Sequence, residues 1–160
     1  MRTSIRMKNM YIILHNIRSA HNVGSAFRTA DGAGVSKIFL TGYTPAPQDR
    51  FGRENPEIKK TSLGATETVP YEVVENIFVL LKRLKDEEVQ IIAVEQTKTS
   101  VPYKTFHPQK STAFIFGNEV TGITQDVLDA CDVHIEIAMR GTKESLNVSV
   151  CVGIILFAYQ

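Results

Sequence analysis

The feature that most constrains the fold is an alternation of short apolar runs with segments of helical spacing. The runs occupy residues 10–15, 36–42, 89–95, 112–117 and 132–139. Most are apolar at successive positions, which is typical of strands buried on both faces. Such runs separated by helices predict an α/β domain with a mostly parallel sheet and helices on both faces.

The segments between the runs predict helices and one long loop. Residues 16–34 carry alanine, valine and phenylalanine at helical spacing, and residues 73–88 give the clearest amphipathic pattern. Residues 124–131 predict a short helix with Thr124 as its N-cap. Residues 43–60 are rich in proline, glycine and charge and are predicted to form a long loop.

Composition narrows the class of protein. With 160 residues, of which 43% are hydrophobic, the chain is expected to form one domain over 1–160. The longest apolar stretch is too short to span a bilayer and the N-terminus does not resemble a signal peptide, so a cytoplasmic location is expected. Cys131 and Cys151 are isolated and are expected to be reduced, buried residues that act as small hydrophobic side chains. The histidines are scattered and no zinc motif is present, so no metal is expected.

Positive charge is concentrated in two places. The first thirty residues contain five basic residues and no acidic one, and a second basic group lies in the predicted loop; the members are Arg2, Arg6, Lys8, Arg18 and Arg28, then Arg50, Arg53, Lys59 and Lys60. Ordinary surface charge would explain five cations. The asymmetry nevertheless favours a nucleic-acid partner.

Three polar, glycine-bearing loops follow strands: EQTKTS from Glu95, GNEVTG from Gly117 and MRGTKESLN from Met139. In parallel sheets, ligands bind outside the carboxyl ends of the strands, so one site could be built from all three loops. No phosphate-binding loop or catalytic triad is present. Any chemistry must therefore come from a bound cofactor or from positioning.

Three segments, in order, resemble the motifs of the SpoU–TrmH branch of the SPOUT methyltransferases. They are NVGSAFRTADGAGV, FIFGNEVTGI and IEIAMRGTKESLNVSVCVG. The resemblance covers essentially the whole chain and implies a minimal form with no extra RNA-binding domain. It implies methylation of ribose 2′-hydroxyls in RNA with S-adenosyl-L-methionine (AdoMet), a homodimer and a deep trefoil knot in the C-terminal part. Of the possible substrates, tRNA, including its wobble position, is favoured over rRNA; a non-catalytic RNA-binding protein and a small-molecule methyltransferase are the rival functions.

The resemblance also implies roles for individual residues. Those implied to be catalytic are Arg28, Asn22, Glu119, Ser145 and Asn147. Those implied to bind the cofactor are Glu95, Gln96, Thr97, Gly117, Asn118, Gly122, Ile137, Met139, Ser145 and Leu146.

Each catalytic candidate has a simpler interpretation. Arg28 could be a surface arginine; as a catalytic group it could be a base or, since a guanidinium is strongly protonated, a stabiliser of phosphate and alkoxide. Asn22 could cap its helix or orient the arginine or the RNA. Glu119 could structure its turn or contact the ribose. Ser145 and Asn147 could cap the last helix or lie beside the target nucleotide.

The last segment is ambiguous and departs from the family pattern. Val148, Val150 and Val152 alternate with small residues, which favours a strand, whereas the resemblance implies a helix. Ala138 stands where the family usually has proline, which could loosen the turn at the cofactor. The chain stops at ILFAYQ without a polar end, so a short or truncated final helix and a weakened dimer are expected.

Overall fold

The computed structural model describes residues 9–160, so Arg2, Arg6 and Lys8 lie outside the described residues. Within them the chain forms a seven-stranded sheet in the order β3-β2-β1-β6-β4-β7-β5, in which every neighbouring pair is parallel. The strands are β1 (Met10–His15), β2 (Lys37–Thr41), β3 (Tyr71–Val74), β4 (Gln90–Val94), β5 (Val101–Pro102), β6 (Thr112–Phe116) and β7 (Val133–Glu136). The parallel sheet is confirmed.

Helices cover both faces of this sheet. They are α1 (Ala20–Ala33), α2 (Pro56–Ser62), α3 (Ala65–Thr68), α4 (Ile77–Asp86), α5 (Gln125–Asp129) and α6 (Val148–Tyr159), with a short 3₁₀ turn at Tyr103–Thr105. One hydrophobic cluster joins the sheet to the helices α1, α2, α3 and α6, and a second joins its other face to α4 and α5. The predicted layers are confirmed.

Strand β1 shows why successive apolar residues predicted a sheet buried on both faces. Ile12 and Leu14 belong to the first cluster, with Phe27 of α1, while Ile13 between them belongs to the second, with Leu81 of α4. Side chains alternate across a strand, so each face of β1 contributes to a separate core. Ile12, Ile13 and Phe27 are fully buried.

Helix α1 begins at Ala20, two residues before Asn22. The N-cap is Ser19, whose hydroxyl accepts from the backbone N–H of Asn22 at 3.2 Å, so the interpretation of Asn22 as the cap is wrong. Serine satisfies an N–H in the first turn that the helix itself leaves unpaired. The helix ends at Gly34, which has a φ of +73°.

Two element boundaries differ from the prediction. The loop predicted over residues 43–60 is wrong at its end, where Asn55 caps α2 and Pro56 occupies its first turn. The isolated apolar residue Ile58 is fully buried against α1, which holds this charged segment as a helix. The helix predicted over 73–88 begins only at Ile77, because its first residues belong to β3.

The ambiguous last segment is a helix, so the strand interpretation is wrong. Asn147 caps α6: its side-chain oxygen accepts from the N–H of Ser149 at 2.9 Å. Val152 faces the core and is fully buried, whereas Val150 is 48% exposed. Thr124 precedes α5 as predicted, although its hydroxyl bonds the Asp126 carboxylate and not the helix backbone. Over the described part of the chain, no helix is both long and apolar enough to cross a membrane.

Candidate active site

The loops that follow β4, β6 and β7 meet at one edge of the sheet. All strands are parallel, so their carboxyl ends lie together, and the loops 95–100, 117–123 and 137–147 leave from neighbouring positions. The prediction that one site could be built from three loops agrees with this arrangement.

A pocket of about 100 Å³ lies between the loops after β4 and β7 and the start of α6. Apolar side chains form much of its wall and polar groups surround them; its lining residues are Val94, Glu95, Gln96, Glu136, Ile137, Met139, Glu144, Ser145, Leu146 and Cys151. Six of the predicted cofactor residues are therefore together: Glu95, Gln96, Ile137, Met139, Ser145 and Leu146.

The charge of the lining suits a cationic ligand. Glu95, Glu136 and Glu144 line the pocket, and no lysine or arginine is among its lining residues. AdoMet carries a sulfonium and an ammonium together with a flat adenine, and apolar walls beside carboxylates match that combination. The residues present fit the cofactor. The pocket volume is below the roughly 300–1,000 Å³ of most ligand sites, so a bound cofactor must also occupy the open space between the loops around the pocket.

Glu95 holds two of these loops together. Its carboxylate accepts from the backbone N–H of Ile123 at 3.0 Å and from that of Gln96 at 3.2 Å. Gly122 has a φ of +68°, and a Cβ there would lie 2.4 Å from the Glu95 carboxylate. A Cβ on Gly117 would lie 2.6 Å from the side chain of Ile123. Both glycines thus permit close packing of the loops and do not line the pocket.

Thr97 and Asn118 also lie outside the pocket, where each fixes a loop. The hydroxyl of Thr97 lies 3.0 Å from Nδ1 of His134 on β7. Asn118 accepts from the N–H groups of Val120 and Thr121 and donates to the Tyr43 hydroxyl at 3.0 Å. Thr97 and Asn118 therefore hold the loops in place, whereas ten other residues line the pocket.

Glu119 joins the turn after β6 to the start of α1. Its carboxylate accepts from the backbone N–H groups of Arg18 at 3.0 Å and Ser19 at 3.1 Å, and from the side-chain amide of Asn22 at 3.2 Å. Burial opposes ionisation, but these donors outweigh it and hold the pKa of Glu119 below its ordinary value. All three contacts favour a role in organising the site.

The third motif meets the first through Asn147. Its side-chain amide donates to the side-chain oxygen of Asn22 at 3.4 Å, while its own oxygen caps α6. Ser145 is exposed at the pocket and is not the helix cap. The structure thus brings Asn22, Glu119, Asn147 and Ser145 to one edge of the sheet.

Arg28 does not join this group within one chain. Six residues along a helix correspond to about 600°, so Arg28 is turned about 120° from Asn22 around α1. Its side chain is exposed, and it forms no ion pair within residues 9–160. It lies on the helix that packs against α6.

Sequence reasoning missed four lining residues: Val94, Glu136, Glu144 and Cys151. Val94 and Glu136 end two neighbouring strands, and that position was the available signal. Cys131 and Cys151 are half-buried, so the expectation that they are buried holds only in part. Burial, with the charge of Glu95 nearby, raises the pKa of the Cys151 thiol, which suits a neutral wall residue. Within the described residues, no cluster of three or more histidine, cysteine or acidic side chains could hold a metal ion.

A parallel sheet covered by helices on both faces, with a pocket at the carboxyl ends of its strands, defines an α/β protein of the class that binds ligands at that edge. The chain belongs to the SpoU rRNA methylase family, whose family model matches residues 9–157.

Similar proteins extend this result. A 23S rRNA (guanosine-2′-O-)-methyltransferase of Neisseria meningitidis is 37% identical over 92% of this chain, which spans 56% of that protein. A TrmH/SpoU tRNA modifying enzyme of A. aeolicus has 30% identity and a TM-score of 0.81 over 95% of this chain and 74% of its own. An AdoMet-bound rRNA methyltransferase of Sinorhizobium meliloti has 27% identity and a TM-score of 0.83 over 95% of this chain and 56% of its own. The chain therefore spans little more than half the length of the Neisseria relative.

Proposed function

We propose that this chain is an RNA methyltransferase that transfers a methyl group from AdoMet to a ribose 2′-hydroxyl. One observation carries the proposal: Ser145 and Leu146 line the pocket, and the next residue, Asn147, begins the hydrogen-bonded chain to Asn22 and Glu119. A cofactor site and a polar site therefore share one edge. The names of the similar proteins support the same activity.

The chain's residues would divide the work between holding and aligning. We assign direct cofactor contact to the six predicted residues that line the pocket, and loop shaping to Thr97, Gly117, Asn118 and Gly122. When bound, AdoMet supplies a methyl on an electron-poor sulfonium, and the sulfur–carbon bond breaks as the new oxygen–carbon bond forms. Asn147 and Ser145 would align the ribose, since positioning is most of what such a transfer requires.

Arg28 would act on the RNA. A guanidinium stays protonated at neutral pH and is a poor base, but it binds phosphate in a fork and stabilises developing negative charge on oxygen. We therefore propose that Arg28 holds the target phosphate and stabilises the 2′-oxygen as its proton leaves to solvent.

Arg28 would reach the site of a second copy of the chain. Helix α6 is apolar around its whole circumference, yet only Val152, Ile155 and Leu156 are buried within one chain. Val150 and Phe157 are each 48% exposed. Such a helix is normally buried on all sides, and a homodimer through α1 and α6 would cover it.

The C-terminal crossing supports the knot that the family implies. Strand β7 lies on the far side of β4 from β1, whereas α6 packs against α1. Residues 137–147 must cross the carboxyl edge between these positions, close to the loops after β4 and β6. We propose that this crossing threads one of those loops.

We also propose that residues 9–160 act as one domain and that the protein is located in the cytoplasm.

The curated relatives support rRNA rather than the tRNA favoured from the sequence. The Neisseria protein is named for 23S rRNA, although the A. aeolicus structure is of a tRNA modifying enzyme. We propose rRNA as the first substrate to test. Only RNA has the 2′-hydroxyl, so DNA provides a matched negative control.

A transfer assay tests the activity directly. The protein is incubated with tritium-labelled AdoMet and, separately, with rRNA, tRNA and single-stranded DNA. We expect label in alkali-resistant RNA dinucleotides and none in DNA. Leu146→Arg fills the pocket and should abolish transfer. If neither RNA pool accepts label where calorimetry shows bound AdoMet, the proposed activity is wrong.

A further inference from the structure

A surface turn between β2 and α2 holds an exposed aromatic ring beside two arginines. Phe51 is 67% exposed, and the guanidinium carbons of Arg50 and Arg53 lie 4.8 and 5.2 Å from the centre of its ring. A ring so exposed contributes little to the core. Packing within the chain therefore does not explain why a phenylalanine stands here.

The turn is ordered by Asp49. One carboxylate oxygen accepts from the backbone N–H of Phe51 at 2.8 Å and from that of Arg53 at 3.0 Å, and the other accepts from Arg53 Nε at 2.8 Å. Gly52 supplies a φ of +77°, and residues 48 and 54 pair across the turn. The backbone that carries the ring is thus ordered before any partner arrives.

The segment that carries the turn begins at the same edge of the sheet as the candidate active site. It leaves the carboxyl end of β2. At the start of that segment, the Tyr43 hydroxyl accepts from the side-chain amide of Asn118, which precedes Glu119 in the chain. Tyr43 is itself 60% exposed, so this segment presents two exposed aromatic side chains, one of them beside the site.

Part of the positive charge of this segment is available to a partner. Arg53 is paired with Asp49, and Lys59 with Glu54. Arg50 and Lys60 form no ion pair with any other described residue. Single-stranded nucleic acid is bound by this combination of exposed aromatic rings, guanidinium planes and unpaired cations.

We propose that Phe51, flanked by Arg50 and Arg53, is a stacking platform for an unpaired base of the RNA substrate, with Arg50 on the adjoining phosphate. The inference rests on the proposed function, because it takes the substrate to be RNA. A base stacked on Phe51 would fix the register of the strand. It would therefore help to select which ribose reaches Asn147.

Paired substitutions separate stacking from simple hydrophobic contact. Phe51→Leu keeps an apolar side chain without the ring, and Phe51→Tyr keeps the ring. The control is Leu63→Ala, which alters a side chain of equal exposure, 67%, at the far end of α2. Affinity is measured by fluorescence anisotropy with a labelled single-stranded oligoribonucleotide of mixed sequence.

We expect Phe51→Leu to weaken binding between about 5- and 150-fold, the usual range for loss of one stacked base. Phe51→Tyr and Leu63→Ala should bind as the wild type does. Arg50→Gln should lower the slope of log affinity against log salt by about 0.7, the value for one single-strand phosphate contact. AdoMet affinity should not change in any of these variants.

Three results would overturn the inference. If Phe51→Leu binds RNA as tightly as the wild type while both transfer methyl groups, the platform is wrong and the proposed function stands. If Phe51→Leu instead lowers the sedimenting mass, the ring is covered by a second copy. If the wild type binds no RNA, the platform and the proposed function fail together.

Discussion

The side-chain amide of Asn147 donates to the side-chain oxygen of Asn22 across 3.4 Å and joins the start of α6 to the start of α1. Asn22 donates in turn to Glu119 at 3.2 Å and is only 8% exposed. Both the oxygen and the nitrogen of the Asn22 side chain are therefore hydrogen-bonded. Groups in one such network are energetically coupled, so a change at Asn22 should affect both neighbours.

Asn22→Asp tests this coupling. It replaces a donor facing Glu119 with a second carboxylate, so at neutral pH two negative charges meet. We expect the free energy of unfolding to fall by about 1–3 kcal/mol, and by more than in Asn22→Ala. Urea unfolding of both variants measures the difference. Equal losses at neutral pH would show that Asn22 does not face the Glu119 charge.

Glu119→Gln tests the pH dependence of stability. The pKa of Glu119 is lowered in the folded protein, so the unfolded chain binds more protons. Its contribution is present above the unfolded pKa of about 4.3 and is lost as the pH falls through the folded pKa. The wild type should therefore lose more stability than Glu119→Gln between neutral and strongly acid pH. Glu75→Gln, an exposed control, should follow the wild type; identical curves for Glu119→Gln and Glu75→Gln would contradict the prediction.

Gly122→Ala tests the contact between two loops. The φ of +68° and the predicted 2.4 Å approach of a Cβ to Glu95 should together cost about 1–3 kcal/mol and weaken AdoMet binding. Gly64→Ala has a positive φ in open space, and Gly141→Ala has neither constraint. Thermal unfolding and calorimetry should rank Gly122→Ala as the most damaging. A loss no larger than that of Gly64→Ala would mean that strain alone matters.

Arg28→Ala tests catalysis across a dimer. Arg28 is exposed, so stability and AdoMet affinity should be kept while methyl transfer falls by about 10²–10³. Leu146→Arg should be inactive for a different reason, a filled pocket. A mixture of the two variants should regain activity, because each mixed dimer has one site with an intact pocket and a partner arginine. A mixture as inactive as its components, despite exchange of subunits, would place Arg28 in the site of its own chain.

Val150→Asp tests the proposed interface. An unpaired charge buried between two copies of α6 should shift the sedimenting species towards the monomer. Val79→Asp changes a valine on α4 that is 61% exposed and should leave the mass unchanged. If Val150→Asp sediments as the wild type, α6 is not the interface.

The fold could be predicted where one chain segment contained the whole signal. Ile12 and Ile13, successive and both apolar, already required a strand buried on two faces. Helix α2 was missed because its only buried apolar side chain, Ile58, stands in a charged stretch, although Asn55 and Pro56 form a usual helix start. Strand β3 was missed because it lies at the edge of the sheet, where its side chains are not fully buried.

The site was predicted only in part, because its contacts depend on the order of the strands. The motifs predicted that Glu119 and Asn147 lie at one edge of the sheet. They did not predict that Glu119 binds the start of α1. That contact requires β1 and β6 to be neighbours, which no local pattern determines. The lining residue Cys151 was missed for the same reason, since its exposure to the pocket depends on where α6 packs.

The position of Asn147 in the chain determines when, during folding, the candidate site is completed. Helix α6 is synthesised after every strand of the sheet, and its contact with Asn22 joins residues 125 positions apart. Contacts between such distant residues form late, after the strands that bring them together. A chain still emerging from the ribosome could already have its sheet and Glu119 in place. The link from Asn147 to Asn22 would still be missing from such a chain, so under the proposed function methyl transfer would begin only after α6 docks.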